Sequence, residues 1–232
     1  MNFLFSYYNL SMYDVCYVVK DTPDNEELRY SLRSLQNLPN VRNVWIYGGK
    51  PEFLVDKYHK KSVVQDGSKW DNSGKIFWEI INDEDITEDF YLMMDDVFVM
   101  QPIHKFVNFS RTSMATQRHS TYYDAKRDAM NWLKNHHKPT RDFDSHRPFL
   151  YNRQKVKELF PLYPHQTCFR SVYGNWYEIP TESHKDCKVF SVGKYLPPSD
   201  DYCLSTTDKS FRKGQVGVMI RKCFPVPSIY EK

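Results

Sequence analysis

Asp95 and Asp96 are adjacent carboxylates inside the stretch FYLMMDDVFVMQP, residues 90–102. Neighbouring like charges between apolar runs repel each other and resist loss of water, so they call for a partner. A divalent cation with oxygen ligands is the natural one, which would make the pair a metal and diphosphate site. The other reading is an acidic turn between two strands. Further side chains with usable chemistry are scattered along the chain. Arg29 and Arg33 lie four apart on a helical pattern and can clamp phosphate with planar cationic forks; a solvated or acid-paired helix face explains them equally. Asp71 and Asn72 have the types of helix caps, and they also precede the acidic stretch where a donor contact would be needed. His146, between Asp144 and Arg147 and two residues before a proline, has the type of a base or phosphate ligand. Arg170, Asn175, His184 and the second acidic pair, Asp200 and Asp201, complete the set.

The elements that must position these residues read as alternating strands and helices. Residues 90–94 form an uninterrupted apolar run, the pattern of a strand covered on both faces in a parallel sheet, and open sheets of this kind bind ligands at the carboxyl ends of their strands. Ahead of it, residues 14–19 (DVCYVV) read as a strand, 26–37 as a helix capped by Asp24 or Asn25, 41–47 (VRNVWIY) as a strand closed by Gly48 and Gly49, and 62–65 as a short third strand. Residues 70–74 (WDNSG) read as a loop and N-cap before a helix through Ile81. Four strands with intervening helices make a βαβ series, hence right-handed crossovers and a parallel sheet. After Pro102 the chain is more polar, with helices expected over 125–133 and 156–160 and turns over 161–164.

The 232 residues carry 26% charged and 41% hydrophobic side chains, ordinary for a folded domain, and an unusually high 16% aromatic content. A net charge of +3 is too small by itself to grip nucleic acid. The basic residues Arg212, Lys213, Arg221 and Lys222 read as a solvated face unless the partner is a polyanion. Five scattered cysteines, odd in number and without a CxxC spacing, point to free thiols in a reducing compartment and against a zinc ribbon. With no signal-peptide pattern and no apolar run long enough for a membrane span, the expected location is the cytoplasm. No P-loop, G-x-G-x-x-G or G-x-S-x-G pattern occurs.

Three segments in order carry a resemblance: ELRYSLRS at 27–34, YLMMDDVF at 91–98, and His146 with Pro148 ahead of FRSVY at 169–173. Together they resemble the Stealth-type sugar-phosphate transferases. The chain is also similar to small phage-encoded glycosyltransferases of GT-A type, particularly in the tail FPVPSIYE at 224–231. The resemblance implies a single GT-A-like, Rossmann-like α/β domain with a mostly parallel sheet flanked by helices and an irregular C-terminal part. Residues 1–102 would bind a nucleotide sugar, and 103–232 would supply the acceptor and catalytic half. It implies Mn²⁺ or Mg²⁺ at Asp95 and Asp96, holding the diphosphate of a nucleoside-diphosphate sugar. The usual D-x-D is here a contiguous pair, which leaves open which carboxylate binds metal.

On this reading Asp96, His146 and Asp201 are the catalytic candidates, and Arg29, Arg33, Asp71, Asn72, Asp95 and Arg170 the donor-binding ones. The expected function is metal-dependent glycosyl transfer to an acceptor hydroxyl, and Stealth-type sugar-phosphate transfer is the alternative. The acceptor would be a hydroxymethylated pyrimidine in phage DNA, with Arg147, Arg170, Arg212 and Arg221 tracking phosphates, or else a glycan or virion protein. A haloacid-dehalogenase-like phosphatase needs an Asp ending its first strand, whereas Asp14 opens it. A carbohydrate-binding module would explain Tyr173, Trp176 and Tyr177, but not a buried strand ending in paired acids.

Overall fold

Val15, Tyr17 and Val19 alternate with Cys16 and Val18 along the first strand, so both faces need cover. The computed structural model, which describes residues 12–116, 122–163, 167–183, 186–195 and 202–232, supplies it from two sides. The chain begins with β1 (Tyr13–Val19), α1 (Glu26–Ser34, continued by a 3-10 turn over Leu35–Asn37), β2 (Val41–Gly48), β3 (His59–Lys61), α2 (Lys69–Asn82) and β4 (Asp89–Met94). After the acidic turn come β5 (Val97–Val99), β6 (Phe109–Ser110), α3 (Tyr123–Asn135), β7 (Phe149–Asn152), α4 (Arg153–Leu159) and α5 (Phe169–Trp176). Then follow β8 (Glu182–Ser183), β9 (Lys188–Val189), β10 (Cys203–Thr206), α6 (Asp208–Lys213) and α7 (Gln215–Cys223).

The main sheet has the order β3-β2-β1-β4-β7. Its first four strands are parallel, and β7 runs antiparallel along the outer side of β4. Leu28, Leu32 and Leu35 of α1 and its extension cover the face bearing Val15, Tyr17, Met93 and Tyr91. Ile76, Phe77 and Ile80 of α2, with α3, α4 and α5, cover the opposite face, which bears Cys16, Val18, Phe90 and Leu92. The chain is therefore mixed α/β with a mostly parallel sheet flanked by helices, compatible with a Rossmann-like fold. The route from β1 to β3 runs one way and β4 lies on the other side of β1, so the order reverses between β1 and β4. At that reversal loops diverge and leave a crevice at the strand ends.

Local chemistry places several boundaries differently from expectation. The third strand is His59–Lys61 rather than 62–65, because this edge strand is polar and carries no apolar signal. Gln65 instead folds its side chain onto the carbonyl of Val19 and the amide of Asp21. Helix α2 begins at Lys69, ahead of Gly74, because Ser68 and Asp71 form a reciprocal capping box. Strand β7 and helix α5 carry no distinctive pattern, and both are set by packing on β4 and α2. Gly48 closes β2 at φ +96°, where a Cβ would lie 2.3 Å from the carbonyl oxygen of Val19, so only glycine fits the turn. The second half of the chain completes both layers, since β7 joins the main sheet and β10 joins β5. Among the described residues no helix is long and apolar enough to cross a membrane.

Candidate functional site

Asp95 and Asp96 form the turn between β4 and β5, on the reversal point of the sheet. Helix α1 fixes that turn from below. Ser31, fully buried, donates to the carbonyl of Val97, and Ser34 accepts from the amide of Val99 at 3.0 Å, so β5 is fastened to the helix. The helix also starts at this edge, because it follows β1 directly. Asn25 caps it by accepting from the amide of Leu28 at 3.0 Å and donates its other end to Asp95 Oδ2 at 2.7 Å.

Two further groups converge there. Glu27, in the first turn of α1, accepts from the Thr206 hydroxyl at 2.6 Å. Lys188 in β9 sets its ammonium 2.5 Å from Asp96 Oδ2, with only 11% of the side chain exposed. The amide of Thr206 donates to the carbonyl of Asp96, which ties β10 to the same turn. Three carboxyl groups thus share the strand end with one ammonium. Burial, then the charge of Asp96, pushes Asp95 up to about 6. Burial likewise pushes Glu27 up to about 7, helped by the charges of Asp96 and Asp95 and opposed by the bond from Thr206. The arrangement holds more negative charge than Lys188 cancels, and it favours a proton or a cation.

His146 lies just ahead of β7, whose antiparallel register, Leu92 against Phe149, carries it to the same end of the sheet as the acidic turn. It is bound twice by Asp186: its amide donates to Oδ1 at 3.0 Å, and its Nδ1 lies 2.7 Å from Oδ2. Burial works against the charge of Asp186, but the bonds from His146 and the nearby Arg111 outweigh it and hold the carboxyl down at about 2. Arg170 in α5 supports this loop by donating to the carbonyls of Ser145 and Arg147 at 2.6 and 2.9 Å.

Of the sequence candidates, the fold therefore brings Asp95, Asp96 and His146 to one edge, with Arg170 behind His146. It turns Arg29 and Arg33 toward the C-terminal tail instead. Arg33 grips both oxygens of Glu231 at 2.8 and 2.7 Å, and Arg29 lies 3.8 Å from the same carboxylate with its guanidinium over Phe53. Asp71 is occupied by Ser68, and Asn72 exchanges bonds with both backbone groups of Gly67. Asn175 bridges the backbone of Arg141 and Ser171. Asp200, Asp201 and His184 lie outside the described residues.

Sequence reasoning missed Asn25 as a contact of Asp95, and it missed Glu27, Lys188, Thr206 and Asp186 altogether. Glu27 does carry a signal, since it opens the same ELRYSLRS segment that carries the resemblance.

Oxygen donors at a strand end suit Mg²⁺ or Mn²⁺ by type. Among the described residues no group of three or more His, Cys, Asp or Glu side chains has metal-ligand spacing. Mg²⁺ is commonly held by one or two carboxylates together with substrate phosphates rather than by a full protein cage, so the turn fits an ion that arrives with a diphosphate. No protein-family model and no curated protein matches the chain.

Proposed function

We propose that the chain is a glycosyltransferase that moves a sugar from a nucleoside-diphosphate donor to an acceptor hydroxyl, with GT-A-like use of Asp95 and Asp96. The observation that carries this reading is the bond of Asn25 to Asp95 across the sheet's reversal point, which holds an acidic turn where such folds bind phosphorylated ligands. Asp95 and Asp96 are the residues that would hold the divalent ion, which when bound would supply charge neutralisation for the diphosphate leaving group. Glu27 lines the same edge, where its carboxyl would contact the sugar. His146, oriented by Asp186, accepts the proton of the acceptor hydroxyl at Nε2 as the new bond to the sugar forms and the nucleoside diphosphate departs.

Stealth-type sugar-phosphate transfer is the second reading. Its support is that the ELRYSLRS helix delivers Glu27 to the acidic turn, so the resembling segment reaches the site itself. For the acceptor, the arginines invoked for DNA are engaged within the molecule. Arg221 pairs with Glu26, Arg212 with Asp208, Arg147 is 3% exposed against Phe109 and Tyr202, and Arg170 holds backbone carbonyls. That favours a glycan or protein hydroxyl over DNA.

A screen of nucleotide sugars with Mn²⁺, reading the spent nucleotide by mass spectrometry, tests both readings. Nucleoside diphosphate formed with wild type and absent with Asp96→Asn is the expected result. Monophosphate formed in step with product would replace glycosyl by sugar-phosphate transfer, and turnover undiminished in excess chelator would overturn the metal.

A further inference from the structure

His146 and Asp186 belong to a longer chain of charges. The guanidinium of Arg111 reaches Asp186 Oδ2 at 3.2 Å with one nitrogen and Asp142 Oδ2 at 3.3 Å with another. Asp142 is 1% exposed and is also bound by the ammonium of Lys126 at 2.7 Å. The backbones of Arg111 and Asp142 exchange hydrogen bonds at 2.8 and 3.1 Å, which fixes the fork at the peptide level. The His146 side chain stands at the outer end of this series, 43% exposed, while the Lys126 side chain at the inner end is 5% exposed.

The geometry points to Asp186 as the residue that positions His146, holding the proton on Nδ1 and keeping Nε2 as the acceptor, with Arg111 setting how strongly that carboxylate pulls. The inference rests on the transfer reading for what Nε2 does, but the tautomer itself is independent of it. A histidine whose inner nitrogen faces a carboxylate donates there, which leaves the outer nitrogen to take a proton. The second bond, from the His146 amide, prevents the carboxylate from rotating away. Arg111 divides its charge between Asp186 and Asp142. Lys126 balances Asp142, so the pull of Asp186 on His146 is moderated rather than cancelled. Among the described residues, the Cys187 thiol also donates to the carbonyl of His146, and the charged residues Asp144 and Arg147 lie within two positions of it in sequence.

Two substitutions should separate the two roles. Asp186→Asn removes the carboxylate that holds the proton on Nδ1 and releases the other tautomer; Arg111→Gln leaves that carboxylate in place and keeps the Nδ1 tautomer. A generic loss of packing would release the tautomer in both. The ring is followed by long-range proton–nitrogen NMR on labelled protein, with His146→Gln identifying the signal and circular dichroism checking the fold of every variant. In its neutral form the wild-type ring is expected as a single Nδ1-protonated tautomer, and that of Asp186→Asn as a mixture. With the donor identified by the screen, Asp186→Asn should lower kcat by roughly 10²-fold, the scale of general-base catalysis, with the donor KM unchanged. Asp186→Glu should recover part of the loss. An unchanged tautomer in Asp186→Asn would overturn the inference. A locked tautomer released by Asp186→Asn, in a protein that consumes no donor, would uphold the positioning and overturn the transfer reading.

Discussion

Asn25 uses both ends of one amide: its oxygen caps α1 at the amide of Leu28, and its nitrogen holds Asp95 at 2.7 Å. Helix start and acidic turn are thereby a single unit, although 70 residues separate them. Asn25→Asp keeps the cap but adds a fourth carboxylate to the three already at the strand end. It should therefore melt near wild type at about pH 4 and below it at about pH 7.5, as the new repulsion develops with ionisation. Asn25→Ala loses cap and contact and should cost about 0.5–2 kcal/mol at both. Thermal melts across pH distinguish the two; equal losses at both pH values for Asn25→Asp would deny the electrostatic coupling.

The upward shifts of Asp95, to about 6, and Glu27, to about 7, have a definite sign in stability. Between the ordinary carboxylate range and these values the folded chain binds more protons than the unfolded one, so both groups lower stability as pH rises through that window. Asp95→Asn removes one of them. Its melting temperature should match wild type at about pH 4 and exceed it by about pH 7.5. Mn²⁺ with a nucleoside diphosphate should raise the wild-type melting temperature and leave Asp95→Asn unmoved.

The Lys188 ammonium lies 2.5 Å from Asp96 Oδ2. Removing its charge while keeping its apolar stem, as in Lys188→Met, should strengthen Mn²⁺ binding in titration calorimetry, because the ion no longer competes with an ammonium. Transfer by the same variant should fall if the ammonium also steadies the diphosphate. Glu27→Gln should fold normally and lose turnover, and wild-type rates in that variant would remove Glu27 from the site.

Arg33 and Glu231 form a part-buried pair across 198 residues, with side chains 10% and 6% exposed. Arg33→Met leaves Glu231 without its main partner and should destabilise by about 1–3 kcal/mol. The double change Arg33→Met with Glu231→Met should cost far less. In the folded fraction of Arg33→Met the donor KM should hold, because the guanidinium serves the tail. A donor KM raised in proportion to lost binding would return Arg33 to the substrate.

The buried strands β1, β2 and β4 and the helix α1 are readable in the sequence, because period and capping are local properties of a few consecutive residues. So is the place of Asp95 and Asp96 at the end of β4. The edge strand β3 is not legible because its residues are polar, and the start of α2 is set by the reciprocal pairing of Ser68 and Asp71, which no apolar period marks. What only the tertiary structure decided is which groups meet the acids and the histidine. Lys188 reaches Asp96 across 92 residues, Thr206 reaches Glu27 across 179, and Asp186 reaches His146 across 40. Arg29 and Arg33 share a helix face as the spacing required, yet whether that face meets a phosphate or the tail depends on where residues 224–232 return. Such pairings follow from the path of the chain around the sheet, and periodicity, which ends with each element, does not encode that path.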